Sequence, residues 1–561
     1  MEEQIREALL LCDLIPRRSA KVKEPCPATN AAVERLSLMD KVSHEWERVL
    51  TVSNVSSVSH GNANAAVSGS RARQSRTYMA PLFLVLVAFA VIFISHTLYS
   101  VFFNEKSYVH GKVPPGGRGW PFIGETLEYL SLGKKNNIEK FIYDRKNKYN
   151  ARHFFKTSYI GENMLFACTT EANKFVFVTA NKFVRSWWPK SMEKVLPSTE
   201  KTSTVQESSR SRRIAVVFNE PFVLQKYVGM FDEVAKAHIQ KNWNDQKVVK
   251  VYPLAKKFSF ALACRTILNV SDTQLVEEFE KLFTCLSAGF FSLPINLPGT
   301  KLYRAIKAAK ELRRRFEVII REGKRRNNII DQDSKSEEAR DLLNFLLQEK
   351  YANGEYMNDS DVANMTLGIL IAGYEAASTT IVSIMKFLAE LPDVYERVRQ
   401  EQMEILNSKP PGELLNMSEI RKMKYSWNVA SEALRLLPPV AGTFREAIRD
   451  LSYDGLTIPK GWKMHWNPHA THKNPVYFPD PYKFDPSRFE GNGPPLYSYV
   501  PFGGGPHICP GREFAKIQML VFMHNVVTNF KWEKVFPEEQ IVVDPVLVPT
   551  KGLPIRLQKI I

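Results

Sequence analysis

The 561 residues carry 76 Lys and Arg against 59 Asp and Glu, a net charge of +17, with 44% hydrophobic and 24% charged residues. That balance excludes a wholly disordered chain, and six scattered cysteines without CxxC spacing argue against a disulfide framework and a zinc site and fit a reducing compartment. The positive excess attracts anionic headgroups, acidic proteins or nucleic acid alike, but no nucleic-acid module accompanies it, so no nucleic-acid partner is expected.

Residues 1–78 form the first element, an extension expected to be disordered, with a Ser/Asn/Ala/Val-rich tract over 52–70. Its acids, among them Glu2, Glu3, Asp13 and Glu24, make it a poor transit peptide. The next element is the apolar run APLFLVLVAFAVIFI from Ala80, continued by Leu98, Tyr99 and Phe103, which is long enough to span a bilayer. An uncleaved anchor over 79–103 is expected, with a cleavable signal as the rival because Ala88 and Ala90 have small-x-small spacing. Met79 is expected to begin the working protein. Lys106, Lys112 and Arg118 then place the body in the cytosol, with Arg71, Arg73 and Arg76 competing if the extension is present.

The connector over 104–124 contains VPPGGRGWPFIG, stiffened by proline and turned by glycine. From 125 onward long helical patterns dominate, with strand-like runs around 161–168 and 451–466, so the body over 125–561 is expected to be mostly α with small β-sheets. A basic amphipathic helix is expected over 301–326. Leu302, Ile306, Ala309, Leu312, Phe316 and Ile320 recur on one side, and Arg304, Lys307, Lys310, Arg314 and Arg321 form a solvated or headgroup-facing side. A long buried helix follows over 366–380.

Glu432 and Arg435 share a helix face by their i, i+3 spacing. Near the C-terminus stands PFGGGPHICPG over 501–511, with a helix-compatible run after it. A thiolate at Cys509 gains from amide donors and from the N-terminus of that helix.

Phe502, Gly505, His507, Cys509 and Gly511 match the pattern F-x-x-G-x-[R/H]-x-C-x-G, and on these residues the chain resembles the cytochrome P-450 superfamily over 113–558. The resemblance implies the haem-thiolate fold behind an N-terminal transmembrane helix, haem b as cofactor and Cys509 as fifth ligand to its iron. The glycines of the segment are expected to let the backbone pass close to the flat ring. Arg445 and Arg212 become candidate propionate partners, and His507 stands where most relatives have arginine, so its charge is expected to depend on pH. Glu432, Arg435 and Arg488, the last in FDPSRF, are expected to form a structural network. In AGYEAASTT the usual acid–threonine pair is Glu375 followed by Ala376, so Glu375 and Thr380 are expected to share proton delivery, with Gly373 suited to a local opening of the helix.

The resemblance further implies O2 as cosubstrate, and electrons from NADPH through an NADPH-cytochrome reductase received near Arg512 and Lys516. It also implies a single-pass anchor in the endoplasmic reticulum membrane. RSWWP at 185, SLPINLPG at 292, KYSWNV at 424 and RFEGNG at 488 are similar to the plant branch that oxidises triterpenoids, including amyrin 28-oxidases. The expected substrate is thus an apolar polycyclic terpenoid. Phe290, Phe291, Leu370, Val440, Ala441 and Thr443 are candidate cavity residues, each equally compatible with core packing. Two alternatives stay open: a haem-thiolate isomerase or dehydratase acting on hydroperoxides, and a catalytically silent membrane protein that binds haem or a hydrophobic ligand.

Overall fold

The computed structural model describes residues 88–89, 91–95, 111–120, 123–179, 181–196, 213–214, 216, 220–290, 292–330, 342–350, 354–543 and 546–560. The expected extension 1–78, most of the expected anchor, part of the connector, Arg212 and Phe291 lie outside them. The chain divides into two units, Met1–Ser95 and His96–Ile561. In the first, the described residues are helical, and Phe89, Val91, Ile92, Phe93 and Ile94 are all exposed.

Among the described residues of the second unit, ten helices reach eight residues or more: α1 Thr126–Lys134, α2 Ile138–Lys148, α3 Pro221–Asn242, α4 Val251–Ile267, α5 Thr273–Ser287, α6 Lys301–Ile330, α7 Asp359–Glu390, α8 Pro392–Asn407, α9 Lys424–Leu436 and α10 Arg512–Val527. The centre of the unit is α7, which packs against α4, α6, α9 and α10. Its start is fixed by Asn358, whose side chain accepts from the Asp361 amide at 2.8 Å, with Asp359 and Asp361 in the first turn. It stops at Leu391 because Pro392 cannot continue it and instead opens α8.

By length and apolar composition α7 could cross a membrane, yet most of its apolar window is buried inside this unit. Gly368 and Gly373 each cost about 1 kcal/mol of helix propensity. Burying a side chain such as Leu367 or Leu388 returns about 1.5–3 kcal/mol, so packing wins. The helix accordingly runs unbroken through Gly373, and the expected local opening is not present.

The strands are β1 Phe154–Tyr159, β2 Glu162–Ala167, β3 Val184–Trp187, β4 Val248–Lys250, β5 Thr443–Ala447, β6 Leu451–Tyr453, β7 Leu456–Ile458, β8 Lys463–Trp466, β9 Phe530–Lys534, β10 Ile541–Val543, β11 Leu547–Pro549 and β12 Pro554–Lys559. The largest sheet has the order β1-β2-β8-β5-β3, and only its β2–β8 pairing is parallel. Thr443 of β5 stands opposite Trp466 of β8, and Arg445 opposite Met464.

Beside this sheet lies a buried polar cluster with a consequence for stability. Burial by itself would raise the Glu139 carboxyl, but His469 and the Lys473 ammonium, 3.0 Å away, outweigh it and hold the group at about 2. Burial lowers His238 and His524 to about 4 and His465 to about 3, and it also lowers His469 and His472. Depressed histidines and a depressed carboxylate act with one sign. The unfolded chain takes up more protons as pH falls below 6.5 and again below 4.5, so stability present at neutral pH is lost toward acid. The unfolding free energy from urea titration is expected to drop between pH 7 and pH 5, by about 2 kcal/mol for each histidine held at 4 or below, and the urea midpoint falls with it. A midpoint unchanged at pH 5 would contradict this account.

Candidate functional site

The segment ending at Cys509 is tied by its own backbone. The Cys509 amide donates to the Phe502 carbonyl at 2.9 Å and the Ile508 amide to Gly505 at 3.1 Å, around a 3-10 turn over Gly505–His507. Glycine is required at 505 for two reasons: φ is +65°, and an added Cβ would come within 2.1 Å of the Phe177 carbonyl oxygen. At Gly504 an added Cβ would meet the Phe177 ring at 2.6 Å. These two glycines therefore admit Phe177, a reason for them that the sequence did not show. Gly511 differs, because a Cβ there would meet nothing within 4 Å.

Cys509 keeps accessible surface although protein encloses it on the other sides. Burial pushes its thiol up, opposed by the Gly511 backbone and the Arg512 charge at the start of α10. Cys168 and Cys264, by contrast, are buried, with thiols pushed further up by desolvation. A sulfur that is accessible and has an amide and a cation beside it is suited to ligate a metal. One thiolate supplies one ligand, so a metal held here takes its other ligands from a cofactor.

One stripe of α7 keeps accessible surface in the midst of burial: Met365, Gly368, Ile369, Ala372, Gly373 and Ala376, with Ala372 the most open. Their spacing of three and four residues puts them on one helix face. Gly368 has nothing within 4 Å of an added Cβ. An accessible apolar stripe, an accessible thiol, and α10 packed directly on α7 fit a flat, largely apolar cofactor carrying a metal.

The expected cavity residues divide. Val440 is 42% exposed, and Ala441 and Thr443 are half-buried. The Thr443 hydroxyl accepts from Trp466 Nε1 at 2.9 Å and from Arg445 Nη1 at 3.2 Å. Phe290 is buried, with its carbonyl accepting from Ser191. Leu370 is fully buried, because two residues from Ala372 is a rotation of about 200° on a helix; it packs in the core and does not reach the accessible stripe. Met365, Ile369 and Ala372 were missed, and stepping back from Ala376 by fours and threes finds them.

Glu375 lies at the edge of the stripe. Its Oε1 accepts from Lys256 Nζ at 3.0 Å, Ser287 Oγ at 3.1 Å and Tyr374 Oη at 2.7 Å. Its Oε2 is buried with no hydrogen-bond partner among the described residues. Burial alone would lower the Lys256 ammonium, but Glu375 and Tyr252 outweigh it and raise it, so the ammonium is held charged. Thr380 is not brought to Glu375. Its hydroxyl donates back to the Ala376 carbonyl at 2.8 Å, and Ser378 and Thr379 also bond to helix carbonyls.

Arg435 makes a fully buried bidentate pair with Glu432, at 2.7 Å on both oxygens. Its Nη1 donates to the carbonyls of His472 and Pro481 at 2.7 Å each. The Asp485 amide donates to Glu432 at 2.9 Å. Arg488 approaches Glu432 at 3.4 Å and donates to the Asp480 carbonyl at 3.0 Å. Arg445 is buried on β5 and donates to the Phe444 carbonyl at 2.8 Å, and His507 is half-buried in the Cys509 loop. Arg512 pairs with Glu513, and Lys516 lies 5.1 Å above the Trp427 ring.

Comparison with known proteins bears on this arrangement. The model of the cytochrome P-450 family matches residues 114–555. A beta-amyrin 28-monooxygenase of Vitis vinifera is 46% identical over 481 residues, covering 85% of this chain and 99% of that protein. A luvungin A synthase of Citrus sinensis is 46% identical over 475 residues, covering 85% and 99%. Among solved structures, the retinoic-acid-bound cyanobacterial CYP120A1 superposes with a TM-score of 0.69 at 30% identity, covering 80% of this chain and 100% of that one.

Proposed function

Because this chain belongs to the cytochrome P-450 family, we propose that it is a haem-thiolate monooxygenase inserting one oxygen atom of O2 into an apolar triterpenoid of amyrin type. The accessible Cys509 thiol just before α10, which packs on the helix that carries an accessible apolar stripe, carries the reading. The similarity to beta-amyrin 28-monooxygenases supports the substrate class. Electrons come from NADPH through a reductase, and the exposed apolar helix at 91–95 supports a single-pass anchor in the endoplasmic reticulum membrane with the body in the cytosol.

Haem, when bound, supplies the iron on which O2 is reduced and activated. Cys509 holds it, and the Gly511 amide and the N-terminus of α10 steady the thiolate charge. Arg445 and His507 are suited to the propionates. Met365, Ile369, Ala372 and Ala376 present hydrocarbon to the substrate and keep bulk water away. Lys256, Ser287 and Tyr374 all bond one Glu375 oxygen, leaving the other to pass protons through water.

Glu375→Gln preserves the shape but ends proton exchange at that atom. Coupled turnover is expected to fall about a hundredfold, the low end for a lost general acid, whereas Thr380→Val, whose hydroxyl already serves Ala376, is expected to stay near the parent rate. The measurement is product formed per NADPH consumed, and equal coupling in Glu375→Gln would remove Glu375 from the path.

Microsomes carrying the chain and a reductase, given NADPH and β-amyrin, test the activity itself. An oxygenated triterpenoid that requires NADPH is expected. Ala376, which lacks the usual hydroxyl, favours the hydroperoxide isomerase as the second reading. Hydroperoxide conversion without NADPH would establish that one, and binding without conversion would leave a carrier.

A further inference from the structure

Thr443 is bonded in a way that leaves its hydroxyl one role. It stands first on β5, opposite Trp466 of β8 and two residues before Arg445, so Thr443 and Arg445 share one face of the strand while Phe444 turns to the other. On that other face Phe444 stacks on His465 with ring centroids 4.6 Å apart, and His465 Nδ1 lies 3.3 Å from the Thr443 carbonyl oxygen. The preceding Gly442, at φ +97°, presses on the Trp466 carbonyl oxygen, which an added Cβ would meet at 1.8 Å. The main chain at 443 is therefore held on both sides.

A threonine hydroxyl has two lone pairs and one hydrogen. Trp466 Nε1 donates to the Thr443 oxygen at 2.9 Å, and Arg445 Nη1 donates to it at 3.2 Å. An indole N–H and a guanidinium can only donate, so both lone pairs are taken and neither neighbour can accept in return. The hydroxyl hydrogen is left pointing away from them, with no acceptor among the described residues. A bond received from a cation also polarises the O–H and strengthens it as a donor. Such a donor is matched by an anion far better than by hydrocarbon.

Trp466 shows where in the molecule that hydrogen lies. Its ring packs on Gly503, where an added Cβ would meet it at 3.3 Å, and it stands edge-on to Phe177 with ring centroids 5.2 Å apart. Gly503 belongs to the segment that ends at Cys509, and Phe177 is the residue against Gly504 and Gly505. One hydrogen bond and one ring thus separate the hydroxyl from the loop that carries the thiol. Thr443 is only half-buried, so a bound group can reach it.

We propose that Thr443 donates a hydrogen bond to a carboxylate of bound haem, beside Arg445, and so holds the cofactor rather than lining the substrate cavity. The assignment rests on the haem-thiolate reading. Haem carries carboxylates on an otherwise apolar ring, whereas an amyrin-type triterpenoid offers hydrocarbon and an uncharged hydroxyl.

The test follows, by absorbance, the transfer of haem from the holoprotein to an excess of a haem-scavenging apoprotein. Thr443→Val keeps the β-branched shape without the hydroxyl and is expected to release haem about tenfold faster, the weak end for a hydrogen bond to a charged group. Thr443→Ser restores the lone pairs and the hydrogen and should return close to the parent rate. Trp466→Phe empties one lone pair but keeps the hydrogen, so its rate should stay well below that of Thr443→Val. Equal rates in Thr443→Val and the parent overturn the proposal. A Trp466→Phe rate as high as that of Thr443→Val overturns it too, because unseating the indole would then be enough. Weaker binding of β-amyrin by Thr443→Val, with haem held at the parent rate, would give the hydroxyl to the substrate instead. Each of these outcomes leaves the haem-thiolate reading standing, whereas a parent protein that holds no thiolate-ligated haem ends both.

Discussion

Cys509→Ser is expected to abolish triterpenoid oxidation and to remove the thiolate-dependent absorption of the reduced, carbon-monoxide-treated protein. The argument rests on one atom. Serine retains the loop, since its bonds run through the backbone amide of residue 509 and the carbonyl of Phe502. It replaces a soft, polarisable sulfur by a hard oxygen that holds its proton far more tightly. A thiolate at 509 would supply a bound haem with the electron donation that oxygen activation needs, and a hydroxyl would offer none of it. Far-ultraviolet circular dichroism should match the parent, which separates loss of ligation from loss of fold. Unaltered absorption bands and turnover in this variant would dismiss the haem-thiolate reading.

Glu432→Ala is expected to have the second largest effect, and on a different property. Its partner Arg435 has no accessible surface, and in the parent both oxygens of Glu432 face it. Removing the carboxylate leaves a buried guanidinium uncompensated and takes the acceptor from the Asp485 amide. Breaking a buried pair from one side costs about 3–5 kcal/mol, much of the stability of an ordinary domain. Poor recovery of holoprotein and a marked fall in Tm are expected. Arg488→Leu should be milder, about 1–2 kcal/mol, because Arg488 keeps some exposure and meets Glu432 only at 3.4 Å. A Glu432→Ala protein as heat-resistant as the parent would remove the pair from the account of stability.

What the sequence disclosed was chiefly local. The cysteine segment lies within eleven residues and could be read as one motif, and Glu432 and Arg435 are one helical turn apart, a spacing at which the two side chains do pair. The same holds for the helix 301–326, found over Lys301–Ile330, and for the strand-like runs, found as β2 and β6 to β8. Contacts between distant positions were not legible. Phe177, from the other end of the catalytic body, stands against Gly505, and nothing near Gly505 in sequence marks that contact. Lys256 is 119 positions from Glu375, and no local pattern marks that pair. Leu370 failed for a different reason: it was selected by nearness to a motif, and nearness in sequence ignores the rotation that carries it to the far side of α7.

Phe177 belongs to a π-helical turn over Phe175–Thr179, with its ring against Gly504 and its main chain against Gly505. A wedge of this kind fixes where the loop carrying Cys509 can sit, and close packing passes small displacements on. Reshaping that turn would therefore move the sulfur while the ligand and its glycines stay as they are.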